Sequence, residues 1–274
     1  MAKDLDQIPT FKAVDTDGEI TIGIDEAGRG PVVGPMVYTA FFTTDADEVS
    51  DMGFKDSKVL NKAQRESLYS DIHNSPFCGY SSEVLTPSDI NKKMCQPLKI
   101  SLNEVAFSAV RTIISRILNI TQRGVKGVFV DTVGPPAKYK AMIAHSFPQI
   151  DPECITVCSK ADAKYPVVSG ASIVAKVTRD VCLERWIFKE THTEGFSGFG
   201  YPTDLVTINW MKESYDPVFG YPNFVRFGWE TSKRIVEKKY PIHTPVHYKE
   251  SGVCLGRIRS KYLAKKCIGD VPVW

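Results

Sequence analysis

No stretch of this chain approaches the ~18 consecutive apolar residues of a membrane-spanning helix, and the opening MAKDLDQIP holds no apolar signal core. Neither membrane insertion nor secretion is therefore expected. The seven cysteines are odd in number and follow neither a disulfide-framework nor a zinc-ligand spacing. That excludes a stapled mini-protein or zinc ribbon and points to reduced, mostly buried thiols in an intracellular protein. There is no internal repeat and no low-complexity segment. The paired basics near Lys265 are too sparse for a nuclear targeting run. Net charge is only +2, so overall composition does not announce a nucleic-acid binder. Its distribution says more. Residues 231–274 hold ten Lys or Arg against three Asp or Glu, a net of +7, leaving −5 on the remainder. That fits an acidic site elsewhere and a basic tail. With 274 residues, 43% hydrophobic and 24% charged, the chain can build one or two globular domains around a substantial core.

The chain is organised around Ile20 to Pro35, ITIGIDEAGRGPVVGP. Ile20, Ile22 and Ile24 alternate as in a strand reaching a sheet interior. The strand runs into Asp25 and Glu26, then Gly28, Arg29 and Gly30, and Pro31 stops regular pairing. Two carboxylates at the end of a buried strand are costly unless a cation compensates them. Adjacent strand residues point to opposite faces, so both meet one site only if the strand bends or ends there. The glycines allow close backbone approach to a ligand, and successive N–H groups in such a turn form an anion-binding nest.

Downstream, Met36–Thr44 reads as a second strand, antiparallel to the first after a short connection. Asn61 to Ile72 reads as a helix with Asn61 as N-cap and Gln64 three residues on. Phe77–Leu85 is a strand, and Ser101–Leu118 is a helix with Leu102, Val105, Ala109, Ile113 and Ile117 on one stripe. A strand at Val125–Val130 ends at Asp131. Pro136–Phe147 reads as a helix and Ile155–Val157 as a short strand before Asp162. A long helix is expected over Ser169–Lys189. Beyond Gly195 short helices and aromatics dominate. Strands interleaved with helices imply a mixed α/β sheet. Acidic residues recur at strand ends (Asp25 with Glu26, Asp131, Asp162), and chain-distant carboxylates so placed can converge on one sheet edge.

The run DEAGRG, preceded by an apolar strand and followed by GP, closely resembles the signature of the type 2 ribonucleases H. VFVDTVG and KADAKYPVVSGASIVAKVTRD extend the likeness, which covers about Ile20 to Lys239. DPVFGYPNFVRFGWETSKRIVEKK is similar to the eukaryotic branch more than to the bacterial single-chain form. The resemblance implies a ribonuclease H-like mixed sheet flanked by helices, with a helical C-terminal part: a catalytic domain at 1–194 and an extension with a basic tail at 195–274. It implies an endoribonuclease that cuts the RNA strand of RNA/DNA hybrids and nicks 5′ of single ribonucleotides in duplex DNA, leaving 5′-phosphate ends. The implied ligands of two Mg2+ or Mn2+ ions are Asp25, Glu26, Asp131 and Asp162. Such ions suit phosphodiester cleavage because shared carboxylates hold them close while phosphate completes their shells.

The same resemblance gives Gly28, Arg29 and Gly30 the task of sensing the 2′-hydroxyl, the group that DNA lacks. Tyr201, in GFGYPTD, is implied to lie against the sugar at an RNA-to-DNA junction. Lys58, Asn103, Lys160, Ser172, Lys176 and Arg179 match substrate-contacting positions; the last three of these share one helical face. After Asn103 the family often continues with Ser-His, and this chain has Ala106 and Phe107. Accessory subunits B and C are implied as partners, with roles in ribonucleotide excision repair and DNA replication in the nucleus or a cytoplasmic pool. Two rivals are a type 3 ribonuclease H and a catalytically silent nucleic-acid-binding subunit. The final Asp162, where type 3 enzymes usually have Glu, opposes the first; the complete acidic set opposes the second. His243 and His247 are four apart, but Pro245 breaks helical spacing, so a solvated loop is expected.

Overall fold

Helix α4, Leu102–Thr121, shows most directly how this sequence builds its core. Ser101 caps it, accepting from the Glu104 N–H, while the Glu104 carboxylate accepts from the Ser101 N–H. Val105, Ala109, Val110, Ile113 and Ile117 form a buried stripe that lies in one core cluster with Tyr38, Ala40 and Phe42 and with Ile20, Ile22 and Ile24 of strand β2, Ile20–Ala27. The computed structural model describes residues 10–54, 60–95, 100–131, 134–190 and 195–239. Lys58, His243, His247 and the basic tail lie outside them.

The sheet has six strands: β1 (Phe11–Lys12), β2, β3 (Met36–Thr43), β4 (Cys78–Leu85), β5 (Val125–Asp131) and β6 (Ile155–Cys158), in the order β1-β4-β3-β2-β5-β6. β2 pairs antiparallel with β3 and parallel with β5, and β5 pairs parallel with β6. The sheet is therefore mixed, and β2 is central where the two modes meet. Register sets Ile24 beside Val130, so the next residues, Asp25 and Asp131, lie side by side at the same strand ends.

One face of the sheet is covered by α4 and α5 (Pro136–Ser146); the other by α6 (Pro166–Glu184) and α2 (Lys62–Asn74). The remaining α-helices among the described residues are α1 (Ala46–Asp51), α3 (Pro87–Met94), α7 (Leu205–Ser214) and α8 (Glu230–Lys239). No helix among the described residues is long and apolar enough to cross a membrane. α2 has the expected capping box, Asn61 with Gln64. α6 lies directly across β2 because Gly23 has no side chain there: a Cβ would overlap the main chain of Val167 and Val168.

The helix expected over Ser169–Lys189 is displaced toward the N-terminus. It begins at Pro166, whose fixed φ and missing N–H suit a first turn. It ends at Glu184, after which Trp186 and Phe188 turn into an aromatic cluster with Phe196, Trp210 and Phe224. That cluster packs on Val32 and Val33, and Val33 bridges antiparallel to Val225. The C-terminal segment is thus fastened to the chain just after the glycine turn.

Candidate active site

Asp25, Asp131 and Asp162 come from three separate elements. Asp25 lies near the end of β2, Asp131 closes β5, and Asp162 sits in a 3-10 turn, 161–163, just after β6. Each offers a carboxylate oxygen, and the three oxygens lie within 4.8 Å of one another. Asp25 is 7% exposed and Asp162 4%. On the α6 side the Ser172 hydroxyl hydrogen-bonds the Asp25 carboxylate, and the Glu26 N–H donates to Asp25 Oδ1 at 2.7 Å.

Glu26 stands outside this triad. Strand β2 continues to Ala27, so Glu26 points to the opposite face from Asp25, as strand alternation requires. Its strand partner is Tyr38, and it opens onto a cavity of about 410 Å³ shared with Asp131, Arg29, Asn103, Phe107 and Tyr139. The bend expected to bring both acids to one face is absent. What Glu26 shares with the triad is the Asp131 strand end.

The electrostatics are those of an over-charged site. Burial, and then the neighbouring Asp131 and Asp162, push the Asp25 carboxyl up to about 6 against the opposing hydrogen bonds from Ser172 and the Glu26 N–H. Burial and the Asp25 charge push Glu26 up to about 8, with Arg29 opposing. The Tyr38 and Tyr139 hydroxyls are raised by burial and then by Glu26. Hard oxygen donors, crowded, buried and mutually repelling, are the donor set that a divalent cation such as Mg2+ or Mn2+ satisfies. The residues present therefore fit the group implied by the sequence.

A second cavity, of about 520 Å³, opens on the other side of the glycine turn. It is lined by Glu26, Gly28, Arg29, Gly30, Lys176, Arg179 and Tyr201, and also by Arg65, Asp180 and Phe199. Tyr201 is 45% exposed and its ring faces Gly30, with 3.7 Å left to where a Cβ would stand. Gly28 has φ +78, and a side chain there would collide with Arg179 and the Pro35 carbonyl. The Arg29 guanidinium reaches into the first cavity, donating to the Tyr38 hydroxyl and to Asn103 Oδ1. Asn103 and Arg29 are thus brought together.

The other expected substrate contacts divide. Lys176 lines the second cavity; Lys160 is exposed, in a left-handed conformation two residues before Asp162. Ser172 is 1% exposed and serves Asp25 from behind, so its hydroxyl is engaged with the carboxylate. Arg179 is 6% exposed, its guanidinium donating to the Pro35 and Phe199 carbonyls. Sequence reasoning missed Tyr38, Tyr139 and Arg65. Tyr38 falls inside the expected strand Met36–Thr44 and Tyr139 inside the expected helix Pro136–Phe147, with no motif to single out either. Arg65 falls inside the expected helix Asn61 to Ile72, and it pairs with Asp180 at 3.2 Å on the cavity wall.

Comparison with known proteins completes this description. The family model described as Ribonuclease HII matches residues 22–232. The human ribonuclease H2 A subunit is 42% identical over 226 residues, covering 80% of this chain and 73% of the relative. The crystal structure of ribonuclease H2 from Pyrococcus horikoshii OT3 superposes with a TM-score of 0.67 at 32% identity, covering 80% of this chain and 98% of that one. A Bst-RNase HIII structure shares the fold at a TM-score of 0.61 and 16% identity, covering 86% of this chain and 73% of that one.

Proposed function

This chain belongs to the ribonuclease HII family, and from that membership we propose that it works as a type 2 ribonuclease H. It hydrolyses the RNA strand of RNA/DNA hybrids and nicks 5′ of single ribonucleotides in duplex DNA. The observation that carries this reading is the Asp25–Asp131–Asp162 triad, with Asp25 and Asp162 buried and Asp131 half-buried, lying against a glycine turn that opens on a tyrosine-walled cavity.

Asp25, Asp131 and Asp162, with Glu26 alongside, would hold divalent ions, Mg2+ or Mn2+, two per site with substrate. Such ions supply charge neutralisation at phosphate and an acidified water. The remaining work falls to the chain. Ser172 and the Glu26 N–H fix the Asp25 carboxylate in orientation. The peptide groups of Gly28–Gly30 approach a ribose where side chains would be excluded, and read its 2′-hydroxyl. Tyr201, opposite Gly30, packs on the following deoxy sugar. Lys160 and Lys176 meet phosphates, and Lys58 is assigned the same task; such contacts position the duplex without reading sequence. Asn103 holds the Arg29 side chain aside, clear of the turn.

Relatives described as the A subunit of ribonuclease H2 support assembly into a larger complex, for which subunits B and C are the proposed partners. Nuclear action in ribonucleotide excision repair and replication follows from the same reading. The test uses duplex DNA carrying one ribonucleotide, with Mg2+, for the chain alone and assembled with B and C. A cut 5′ of the ribose that leaves a 5′-phosphate is expected. Cyclic-phosphate ends would refute an external water as nucleophile, and no cleavage in either form would leave the reading as a silent, binding-only component standing.

A further inference from the structure

Among the described residues Arg226 is the largest fully buried side chain, 0% exposed. It sits in the apolar run Phe224-Val225-Arg226-Phe227, about two hundred residues from the glycine turn, yet its guanidinium is spent on that turn. Nη2 donates to the Gly28 carbonyl at 2.7 Å, Nη1 to the Arg29 carbonyl at 3.2 Å and Nε to the Gly34 carbonyl at 2.9 Å. Its flat face lies 5.0 Å from the Trp229 ring centroid. Among the described residues no carboxylate forms an ion pair with it. A buried guanidinium satisfied by main-chain carbonyls alone is expensive, and burial, with Arg179 close by, pushes its pKa down to about 9.

The root of this side chain is also fixed. The Arg226 N–H donates to the Val32 carbonyl, and the Ser232 hydroxyl donates to the Arg226 carbonyl. On either side, the Asn91 amide accepts from the Phe227 N–H and donates to the Val225 carbonyl, each at 2.8 Å. The fork therefore cannot follow the turn; the turn must conform to the fork.

The consequence is stereochemical. The peptide bonds of the described residues are trans, so each C=O points opposite to the N–H of the next residue. Turning the Gly28 and Arg29 carbonyls inward to one guanidinium turns the N–H groups of Arg29 and Gly30 outward. Among the described residues neither N–H is taken by a protein acceptor. A ribose 2′-oxygen has two lone pairs to receive them; a deoxyribose carbon has none.

We propose that Arg226 is the positioning residue for ribose selection, aligning two successive peptide groups so that their N–H donors meet one 2′-hydroxyl. The proposal rests on the reading that the Gly28–Gly30 backbone senses that hydroxyl. It explains why the residue is arginine: three carbonyls in different directions need a planar fork, which a single ammonium cannot supply.

The experiment measures affinity for two duplexes identical except for one ribonucleotide, in EDTA so that neither is cut, for wild type and Arg226→Lys. Wild type should prefer the ribonucleotide duplex. The lysine variant should lose about tenfold of that preference, the worth of roughly one neutral hydrogen bond. Its affinity for the all-DNA duplex, and its stabilisation by Mg2+ in thermal melts, should stay at wild-type level. A lysine variant that keeps the wild-type preference overturns the proposal. A wild type without preference overturns the underlying reading of the turn, which is a separate failure. If Arg226→Lys does not fold, Asn91→Ser loosens both flanks of Arg226 without touching the fork. It should cost part of the preference, about threefold for a weakened hydrogen bond, and retention of the full wild-type preference in that variant likewise overturns the proposal.

Discussion

Asp25→Asn should make the metal-free protein more stable while abolishing its chemistry. The Asp25 carboxyl is raised from an ordinary 3.8 to about 6, chiefly by burial. A carboxyl raised on folding penalises the folded state wherever both states are ionised. At 1.36 kcal/mol per tenfold change in proton affinity, that penalty reaches about 3 kcal/mol above pH 6. It declines as the pH falls, is about half gone at pH 5, and vanishes below 3.8, where both states are protonated. Asparagine keeps an oxygen to accept from the Glu26 N–H but carries no charge. A gain of about 1–3 kcal/mol, or roughly 2–8 °C in Tm, is expected at pH 7.5 in EDTA. Melting curves of both proteins from pH 4.5 to 8, with EDTA and with Mg2+, provide the assay. The gain should shrink toward acid, and Mg2+ should raise the Tm of the wild type far more than that of the variant. If the variant melts at or below the wild type at pH 7.5 in EDTA, the triad is not an over-charged cluster awaiting cations.

Gly23→Ala should destabilise by about 1–3 kcal/mol, toward the upper end because the new methyl meets the α6 backbone; urea titration reads it directly. Phe224→Ala, removing the ring shared by Trp186, Phe188, Phe196 and Trp210, should cost about 3–5 kcal/mol in the same titration. Tyr201→Ala should slow cleavage at a lone ribonucleotide more than cleavage of a continuous hybrid; equal losses on both substrates would remove Tyr201 from junction reading. Hybrid binding should weaken steeply with salt and vary little with base sequence, which titration of two unrelated hybrids across ionic strengths tests.

The elements with local causes are legible in the order of amino acids alone. A capping box announces α2, a periodic apolar stripe announces α4, alternation announces β2, and Asp25 and Asp131 are visible as carboxylates closing apolar strands, with Asp162 just past a third. Their convergence follows from parallel register, which places Asp131 beside Asp25. What the sequence conceals is whatever depends on a distant partner. Arg179 and Ser172 read as donors on a helix face, because nothing local shows that α6 presses into β2 at Gly23. The helix expected to reach Lys189 stops at Glu184 because Trp186 and Phe188 pack on Phe224, far along the chain. Arg226 carries one overlooked signal: a charge inside FVRF, flanked by residues bound for the core. Its target carbonyls lie at Gly28, Arg29 and Gly34, where no helical or strand period could point.

The distance along the chain between Asp162 and Arg226 orders events during synthesis. A ribosome emits the N-terminus first, so the three triad carboxylates all leave the exit tunnel before the brace that holds the glycine turn. At about 5–20 residues per second the interval is roughly 3–13 s. A growing polypeptide in that interval carries the groups for cutting without the group that aligns the choice of sugar. A chain ending after α6 but before Arg226 would carry the same set of groups: the three carboxylates and Ser172, without the side chain that braces the ribose-sensing peptides.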